Sequence, residues 1–342
     1  MPAKLAMFHA LPPYFGGKRS LVGEIFKHVP PPAQAPVFID AFLGGGSVSL
    51  YAKARGYRVI ANDIALRSHI VGKALIENSR VTIATEDVVR LFVPNARAGD
   101  FVQRRFSPDA FTRKHARFLD LALANVGEMD EEKRWLMQLL VVKYMFRMRP
   151  MGNFGAKTIV HQLEAGDWDE MNPNYVREAL NRRINCHPKR NAEILAREIN
   201  RGVFSNGQAN EAIQGDVFDL LDRVRGDVAY FDPPYYGTMS YESALKPVDD
   251  ILRGEERPAE RSVFSQEGAM RFIDRLFEKA RHVPLWVMSF GNARVSLEEL
   301  VALMKKHRSR VEARAIEYVH CTGLVGEERK RANREFILVG EA

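Results

Sequence analysis

The chain has 342 residues, which is enough for a full hydrophobic core and a second, smaller domain. With 46% hydrophobic and 27% charged residues, it has the composition of a globular protein in water. It contains neither a bilayer-length apolar run nor the apolar core of a signal peptide, and Cys186 and Cys321 lie far apart without a ligand pattern. We therefore expect a cytoplasmic protein with no membrane segment, no disulfide scaffold and no metal site.

Basic residues exceed acidic residues by 50 to 43, which gives a net charge of +7. Such an excess is equally typical of a solvated surface, but its distribution is uneven: residues 135–163 contain no Asp or Glu. Three basic clusters fall in the middle of the chain: Arg104, Arg105, Arg113, Lys114 and Arg117; Lys143, Arg147, Arg149 and Lys157; and Arg182, Arg183, Lys189 and Arg190. This clustering favours a polyanion as the partner of the middle region.

The first two predicted strands each end in a candidate ligand-binding turn. The apolar strand 37–42 runs into a glycine-rich turn, 43–46, where a ligand can approach the backbone and the next helix N-terminus. The strand 57–61 ends at Asn62-Asp63, and an acidic residue there can bind both hydroxyls of a ribose. A ligand-free turn and a strand-end cap are the alternatives. Together the two turns favour a nucleoside-containing cofactor without distinguishing among such cofactors.

The middle of the chain, residues 85–208, interrupts the alternation of strands and helices. It is basic, rich in helical patterns and divided by several prolines. We interpret it as an inserted domain between two parts, 1–84 and 209–342, of a domain built around a sheet.

The next buried strand, 227–231, is followed by Asp232-Pro233-Pro234-Tyr235. The two prolines stiffen the turn, so the Asp232 carboxylate and the Pro233 carbonyl project in a fixed geometry as two acceptors for the hydrogens of one amine. Tyr235 offers a ring on which a base can stack, worth about 1–3 kcal/mol. The alternative is a surface proline turn without a ligand.

The remaining elements complete a sheet with helices on both faces. Apolar residues at helical spacing follow Ser265, a strand is predicted over 285–289, and Ser296 to Glu299 form a capping box that opens a helix to about His307. Residues 311–319 and 335–339 are predicted as two strands joined by a charged loop, which suggests an antiparallel edge. Alternating strands and helices indicate an α/β fold with an open, mainly parallel sheet.

These motifs, in this order, resemble the alpha group (Dam-like) of adenine-specific DNA methyltransferases. The resemblance is carried by Tyr14-Phe-Gly-Gly-Lys18, Phe38-Ile-Asp-Ala-Phe-Leu-Gly-Gly-Gly46, Asn62-Asp63, the stretch from Phe146-Arg147 to Gly152-Asn153-Phe154, and Asp232-Pro-Pro-Tyr235. It implies a Rossmann-like S-adenosylmethionine-dependent methyltransferase fold. Residues 1–84 and 209–342 would form the catalytic domain, and 85–208 would be a mainly helical target-recognition domain that binds DNA.

The resemblance also implies roles for individual residues. Tyr14 and Lys18 would contact the methionine end of S-adenosylmethionine, and the turn from Phe42 to Gly46 would pass beneath it. Asp63 would bind its ribose, and Asp216 would face its adenine. The full cofactor-binding set is Tyr14, Lys18, Asp40, Phe42, Gly44, Gly46, Asp63, Asp216 and Asp232. The implied catalytic residues are Asp232, Pro233, Pro234 and Tyr235.

For DNA binding, the family segment places Arg147 and Arg149 near the bases. The cluster of Arg182, Arg183, Lys189 and Arg190 is predicted, from charge, to contact phosphates. Ser289 to Asn292 resemble a strand-end turn that shapes the target pocket, with a plain loop as the alternative.

The expected activity is therefore transfer of a methyl group to N6 of adenine in double-stranded DNA, with the target base swung out of the duplex. A cognate restriction endonuclease is a candidate partner. N4-cytosine methylation is the nearest alternative, because the same acceptors fit that amine. A nicotinamide-dependent Rossmann oxidoreductase shares the strand–glycine turn–acidic residue pattern, and a catalytically silent DNA-binding protein is a third alternative. The sequence indicates no oligomeric state.

Overall fold

The computed structural model describes residues 6–14, 16–149, 154–235, 241–258, 262–292, 294–317 and 334–342. Phe15, Gly152, Asn153, Cys321 and the charged loop between the last two predicted strands lie outside these ranges. The strands, in chain order, are β1 Val37–Asp40, β2 Arg58–Asp63, β3 Glu211–Gln214, β4 Val228–Phe231, β5 Leu285–Gly291, β6 Arg310–Glu317 and β7 Arg334–Glu341.

The α-helices of the described residues account for most of the remaining chain. They are α1 Val22–Ile25, α2 Ser47–Arg55, α3 Leu66–Val71, α4 Thr85–Arg90, α5 Phe101–Phe106, α6 Arg113–Gly127, α7 Glu131–Met148, α8 Lys157–Ala165, α9 Pro173–Arg182, α10 Pro188–Asn200, α11 Val217–Arg223, α12 Tyr241–Arg253, α13 Ala269–Lys279 and α14 Leu297–Met304. A π-helical turn, Gly72–Glu77, continues α3, and short 3-10 turns are found at Met7–Ala10, Trp168–Glu170 and Val263–Ser265.

The strands form one seven-stranded sheet in the order β3-β2-β1-β4-β5-β7-β6. The first five strands are parallel, and β7 runs antiparallel to both β5 and β6. The strand order reverses between β1 and β4, where Ile39 lies between Ile60 of β2 and Ala229 of β4. This arrangement confirms the predicted α/β fold of a Rossmann-like methyltransferase, including the antiparallel edge.

Burial explains why most strands were predictable. Every residue of β4 and β5 is buried, as expected for central strands covered on both faces. The four predicted central strands are confirmed with bounds shifted by a few residues. β3 was not predicted, because it has only four residues and two of them are exposed polar residues at the sheet edge.

One face of the sheet carries an apolar core formed with α11, α13 and α14. Phe277 stacks on Trp286 with ring centroids 5.1 Å apart, and the Trp286 indole donates to the Ala280 carbonyl. Helix α14 begins at the predicted capping box, in which the Glu299 amide donates to Ser296 Oγ and the Ser296 amide donates to Glu299. Helix α2 packs on the other side of β1 and β2.

The chain divides into two compact units. One contains the whole sheet and comprises Tyr14–Glu77, Ser205–Ser243 and Ala259–Ala342. The other is helical and comprises Met1–Pro13, Asn78–Phe204 and Ala244–Pro258. The first thirteen residues and 244–258 belong to the helical unit, although the predicted boundaries assigned both segments to the catalytic domain. The roles assigned to the predicted domains stay predictions.

Candidate active site

Three acidic residues meet at the carboxyl edge of the sheet. Asp40 ends β1, Asp63 ends β2, and Asp232 follows β4 directly. In open α/β sheets, ligands bind in the crevice beyond the strand ends where the strand order reverses. In this sheet that reversal lies between β1 and β4. The neighbouring carboxylates of Asp232 and Asp63 both contribute to raising the pKa of Asp40, so the three form one electrostatic cluster.

The glycine-rich turn after β1 contains two glycines with left-handed backbone conformation. Gly44 and Gly46 have φ of +52° and +80°, a region that favours glycine. The Gly44 amide donates to Asp63 Oδ2 over 2.8 Å, so the end of β2 fixes the turn. A Cβ on Gly45 would lie 2.6 Å from Tyr14 Cβ. The structure therefore brings Tyr14, the glycine turn and Asp63 together.

Asp40 is 1% exposed and has an unsatisfied oxygen. Ser49 of α2 donates to its Oδ2 over 2.6 Å, whereas Oδ1 has no hydrogen bond of normal geometry among the described residues. Burial, with a smaller contribution from nearby Asp232, raises the pKa of Asp40 to about 7, although the Ser49 hydroxyl opposes the shift. The Phe42 amide is near enough to lower the pKa of Asp40 slightly. A buried carboxylate oxygen without a partner suits a cationic or N–H donor from a ligand.

Asp63 and Asp216 lie at adjacent strand ends. Asp63 Oδ1 accepts from the Ala65 amide over 2.9 Å, and burial raises its pKa while these backbone donors lower it. Asp216 is exposed, follows β3 and caps α11 by accepting from the Phe218 amide over 2.8 Å. The Gly215 amide donates to the Asp63 carbonyl at the end of β2. Asp216, the next residue after Gly215, therefore lies near that strand end. Phe42 packs edge-to-face on Phe264 beside the glycine turn.

Asp232 belongs to a buried cluster of charged groups. Lys18 Nζ lies 2.8 Å from Asp232 Oδ2 and 3.3 Å from Glu335 Oε1. The Tyr235 hydroxyl donates to Asp232 Oδ1 over 2.9 Å and lies 2.5 Å from Glu335 Oε1. Burial raises the pKa of Asp232, Lys18 lowers it and Glu335 raises it. In this structure Lys18, expected at the cofactor, binds Asp232.

The Tyr235 ring is enclosed rather than open. It is 5% exposed, packs against Phe290 at a centroid distance of 4.8 Å and has Lys18 Nζ 5.2 Å from its centroid. A base can stack on it only after a neighbour moves, so the stacking role stays a prediction. Pro233 is buried and Pro234 is partly exposed.

The segment from Ser289 to Asn292, which was expected to be a turn after β5, instead continues the strand as far as Gly291. Within it, the Ser289 hydroxyl is hydrogen-bonded to the Tyr230 hydroxyl.

Sequence reasoning missed Glu335. It lies 100 residues after Tyr235 and at the start of β7, yet it is completely buried. The available signal was an acidic residue adjoining the apolar run 336–339 of a predicted strand.

In the helical unit, three of the predicted DNA-binding residues lie on one exposed surface. Arg183 ends α9, and Lys189 and Arg190 lie in the first turn of α10. They line a shallow hollow of about 690 Å³ together with His187 and Arg197. Glu193 and Ile194 complete its lining, so positive charge predominates. We call Arg183, Lys189, Arg190 and Arg197 the basic surface.

The other three predicted DNA contacts are engaged inside this unit. Arg147 pairs with Glu198 over 2.8 Å. Arg149 is 4% exposed and lies over the Phe146 ring, and burial lowers its pKa to about 10. Arg182 pairs with Glu178 and donates to the Phe146 carbonyl. These placements differ from the expectation of exposed contacts. Arg147 finds its partner on another helix, whereas Arg149 and Arg182 find theirs, Phe146 and Glu178, within four residues.

The acid-free stretch 135–163 likewise acquires acidic partners in space. Glu198 of α10 pairs with Lys143 as well as Arg147, and Asp109 pairs with Lys157. Part of the apparent excess of positive charge in the sequence is therefore neutralised by the fold.

Neither a candidate membrane span nor a candidate metal site is found among the described residues. None of the helices they contain combines the length and apolarity that a bilayer span requires. They also contain no group of three or more His, Cys, Asp or Glu side chains arranged to hold a metal ion.

Comparison with known proteins identifies the family. Residues 14–156 match the D12 class N6 adenine-specific DNA methyltransferases. The type II methyltransferase M2.HphI of Haemophilus parahaemolyticus is 30% identical over 333 residues, which cover 96% of this chain and 96% of that protein. The modification methylase StsI of Streptococcus sanguinis is 23% identical over 71% of this chain and 36% of its own length. The type II methyltransferase M.FokI of Planomicrobium okeanokoites is 24% identical over 80% of this chain and 43% of its own length.

The match to M2.HphI extends over almost the whole of both chains. It agrees with the strand order, the glycine turn and the Asp-Pro-Pro-Tyr segment at the carboxyl edge of the sheet. The chain belongs to the D12 class of N6 adenine-specific DNA methyltransferases.

Proposed function

We propose that this methyltransferase takes its methyl group from S-adenosylmethionine, bound at the carboxyl ends of β1, β2 and β3, and transfers it beside Asp232 to an adenine swung out of duplex DNA. The observation that carries the proposal is the position of Asp232. It lies directly after β4, on the far side of the strand-order reversal from the glycine turn. A donor on one side and an acceptor amine on the other would then meet at this carboxylate.

The donor set at the crevice fits S-adenosylmethionine. Asp40 Oδ1, buried and without a partner, suits the ammonium of the methionine moiety. Asp63 retains lone pairs for the ribose hydroxyls after accepting from Gly44 and Ala65. Asp216 is exposed at the neighbouring strand end and would face the adenine. Tyr14, Lys18, Phe42, Gly44 and Gly46 would line the site.

The cofactor supplies an electrophilic methyl group on a sulfonium. The adenine amine is a weak nucleophile because its lone pair is delocalised into the ring. Asp232 and the Pro233 carbonyl would accept hydrogen bonds from its two N–H groups and direct the lone pair out of the ring plane. Formation of the C–N bond would break the C–S bond of the donor and leave S-adenosylhomocysteine and one proton from the amine. Orientation of this kind supplies roughly 7–11 kcal/mol in well-aligned intramolecular reactions. Pro234 restricts the turn that holds both acceptors.

Capture of the base requires that it leave the duplex, which takes a few kcal/mol. Tyr235 would stack on the extruded base. Its ring is 5% exposed, with Lys18 and Phe290 among its neighbours, so capture would include a local movement beside Tyr235.

The basic surface is the proposed contact with the DNA backbone. Arg183, Lys189, Arg190 and Arg197 are exposed together, and phosphate contacts from such residues make binding fall with salt. Arg147, Arg149 and Arg182 would support the DNA-reading region from within, and their replacement is expected to alter site preference. The names of the relatives support a role in restriction–modification, with a cognate endonuclease as partner.

Replacement of Asp232 tests the proposed site. Asp232→Ala removes one of the two amine acceptors and should lower methylation by several orders of magnitude, since misplacement alone can lower a rate about a hundredfold. Tritiated methyl donor followed by nucleoside chromatography measures both rate and product, with label expected on N6 of adenine. Asp222→Ala, an exposed carboxylate paired with Lys279, is the matched control. Near-native turnover by Asp232→Ala would place the reaction elsewhere.

A further inference from the structure

Glu335 is a buried carboxylate that no motif of the chain accounts for. It is 0% exposed, is the second residue of β7 and contacts two residues of the proposed active site. Its Oε1 lies 3.3 Å from Lys18 Nζ and 2.5 Å from the Tyr235 hydroxyl. These are the same two donors that bind Asp232. Two carboxylates therefore share one ammonium and one phenol.

Between them, the two donors engage both carboxylate oxygens of Asp232. Lys18 binds Oδ2 and the Tyr235 hydroxyl binds Oδ1. When the target base binds, at least one oxygen of Asp232 must accept a hydrogen bond from the amine instead of from Lys18 or Tyr235. Lys18 is 3% exposed, and a buried ammonium that loses its counter-ion is strongly destabilised. A second anion that already contacts both donors removes that difficulty.

We propose that Glu335 is a positioning residue for methyl transfer, which holds Lys18 and Tyr235 while Asp232 binds the amine of the target base. This inference rests on the proposed function of Asp232. Glu335 then stays the carboxylate partner of Lys18 and Tyr235 as Asp232 turns to the base. Lys18 also donates to the Gly16 carbonyl over 2.8 Å, but that neutral acceptor does not replace a lost counter-charge. Glu335 itself touches neither the base nor the cofactor in this scheme.

The charged and titratable groups around Asp232 give the inference a distinctive pH signature. They are Lys18, Glu335, Tyr235, Asp40 and Tyr230. The Glu335 charge raises the pKa of Asp232, whereas the hydrogen bond from Tyr235 lowers it. Loss of the Glu335 charge therefore moves the acid limb of the rate to lower pH, and loss of the Tyr235 hydroxyl moves it to higher pH.

The experiment is a single-turnover methylation assay with full-length enzyme in excess over duplex DNA and saturating S-adenosylmethionine. Glu335→Gln keeps the shape and one acceptor oxygen but removes the charge. We expect its rate constant to fall by about tenfold or more, with calorimetric donor affinity and DNA affinity unchanged. The matched control is Glu341→Gln, an exposed glutamate on the same strand that pairs with Arg310. It should retain the native rate.

Tyr235→Phe is the second variant, and it keeps the proposal testable if Glu335→Gln does not fold. It retains the ring and removes only the hydroxyl that joins Asp232 to Glu335. Its rate should also fall, with its acid limb displaced to higher pH, opposite to Glu335→Gln. The double variant should lose less than the product of the two single losses, because both act on one network.

The possible results separate this inference from the function on which it rests. A Glu335→Gln enzyme with lower thermal stability but a native rate constant per active site and a native acid limb would make Glu335 merely structural and overturn the inference. A native rate and acid limb in Tyr235→Phe would also overturn it. Near-native turnover by Asp232→Ala would instead overturn the proposed active site.

Discussion

Asp63 is held by two backbone amides, those of Gly44 and Ala65, and so its orientation is set before any ligand binds. If it also accepts from the ribose hydroxyls, Asp63→Ala should weaken S-adenosylmethionine binding by about 1.5–3 kcal/mol, the range for hydrogen bonds to charged groups. Calorimetry measures the change. Asp219→Ala, an exposed carboxylate on α11, is the control and should bind normally. Unchanged affinity in Asp63→Ala would mean that the cofactor binds elsewhere.

The raised pKa of Asp40 predicts how cofactor binding depends on pH. Its pKa of about 7 leaves it mostly protonated in acid, while an ammonium ligand requires the ionised carboxylate. Donor affinity should therefore rise by up to about tenfold per pH unit from pH 5.5 to about 7 and then level off. Titration calorimetry over that range should show the rise in the native enzyme and a flatter profile in Asp40→Asn. An unchanged profile in the variant would exclude Asp40 as the titrating group.

The same shift has a defined sign for folding. The folded pKa of Asp40 lies above its ordinary value of 3.8, so the unfolded chain releases the proton first as pH rises. The contribution of Asp40 to the free energy of unfolding is therefore largest below about pH 4 and is lost as pH rises to about 7. Asp40→Asn should remove that loss, which denaturant unfolding at several pH values can measure.

At the scale of elements, the sequence predicted those strands whose environment is uniform. β4 and β5 are apolar along their length because both faces are covered, and such runs stand out in a sequence. β3 lies at the edge and mixes exposed and buried residues, so its four residues carry no periodic signal. The capping box of α14 was predictable because its two hydrogen bonds join residues three apart.

The candidate site divides in the same way. The positions of Asp63 and Asp232 could be predicted because Asp63 ends its strand, Asp232 directly follows its own, and parallel strands bring their carboxyl ends to one edge. Glu335 could not, because its partners Lys18 and Tyr235 are remote in sequence. The buried or paired positions of Arg147 and Arg149 could not be predicted either. Glu198, on another helix, pairs with Arg147, and Arg149 is buried over an aromatic ring.

The basic residues at the end of α9 and the start of α10 are predicted to contact DNA. Replacing Arg183, Lys189 and Arg190 together with Ala should weaken DNA binding and reduce its salt slope by up to about 0.9 per lost phosphate contact. The control is a triple replacement of Arg225, Lys305 and Lys306, which are exposed, lie in the sheet-containing unit and change the net charge equally. Filter binding at several salt concentrations measures both. If the two triple variants weakened DNA binding equally, the loss would reflect net charge alone and not a DNA contact at the basic surface.

For the whole molecule, the two compact units predict that donor binding and DNA binding can be impaired independently. Asp63 belongs to the sheet-containing unit, whereas Arg183, Lys189 and Arg190 belong to the helical unit. The hydrogen bonds of Asp63 to Gly44 and Ala65 lie within its own unit, and so does the lining of the hollow around the three basic residues. Losses of binding free energy at sites without shared partners usually add within about 0.5 kcal/mol.

We therefore expect Asp63→Ala to weaken donor binding while leaving DNA affinity near its native value, and the basic triple to do the reverse. The combined variant should lose both affinities by the sum of the separate free-energy changes. Calorimetry with S-adenosylmethionine and filter binding with duplex DNA, applied to all four proteins, provide the complete cycle. A coupling well above 0.5 kcal/mol in either affinity would contradict independence. It would show that donor binding and DNA binding depend on a common rearrangement of the enzyme.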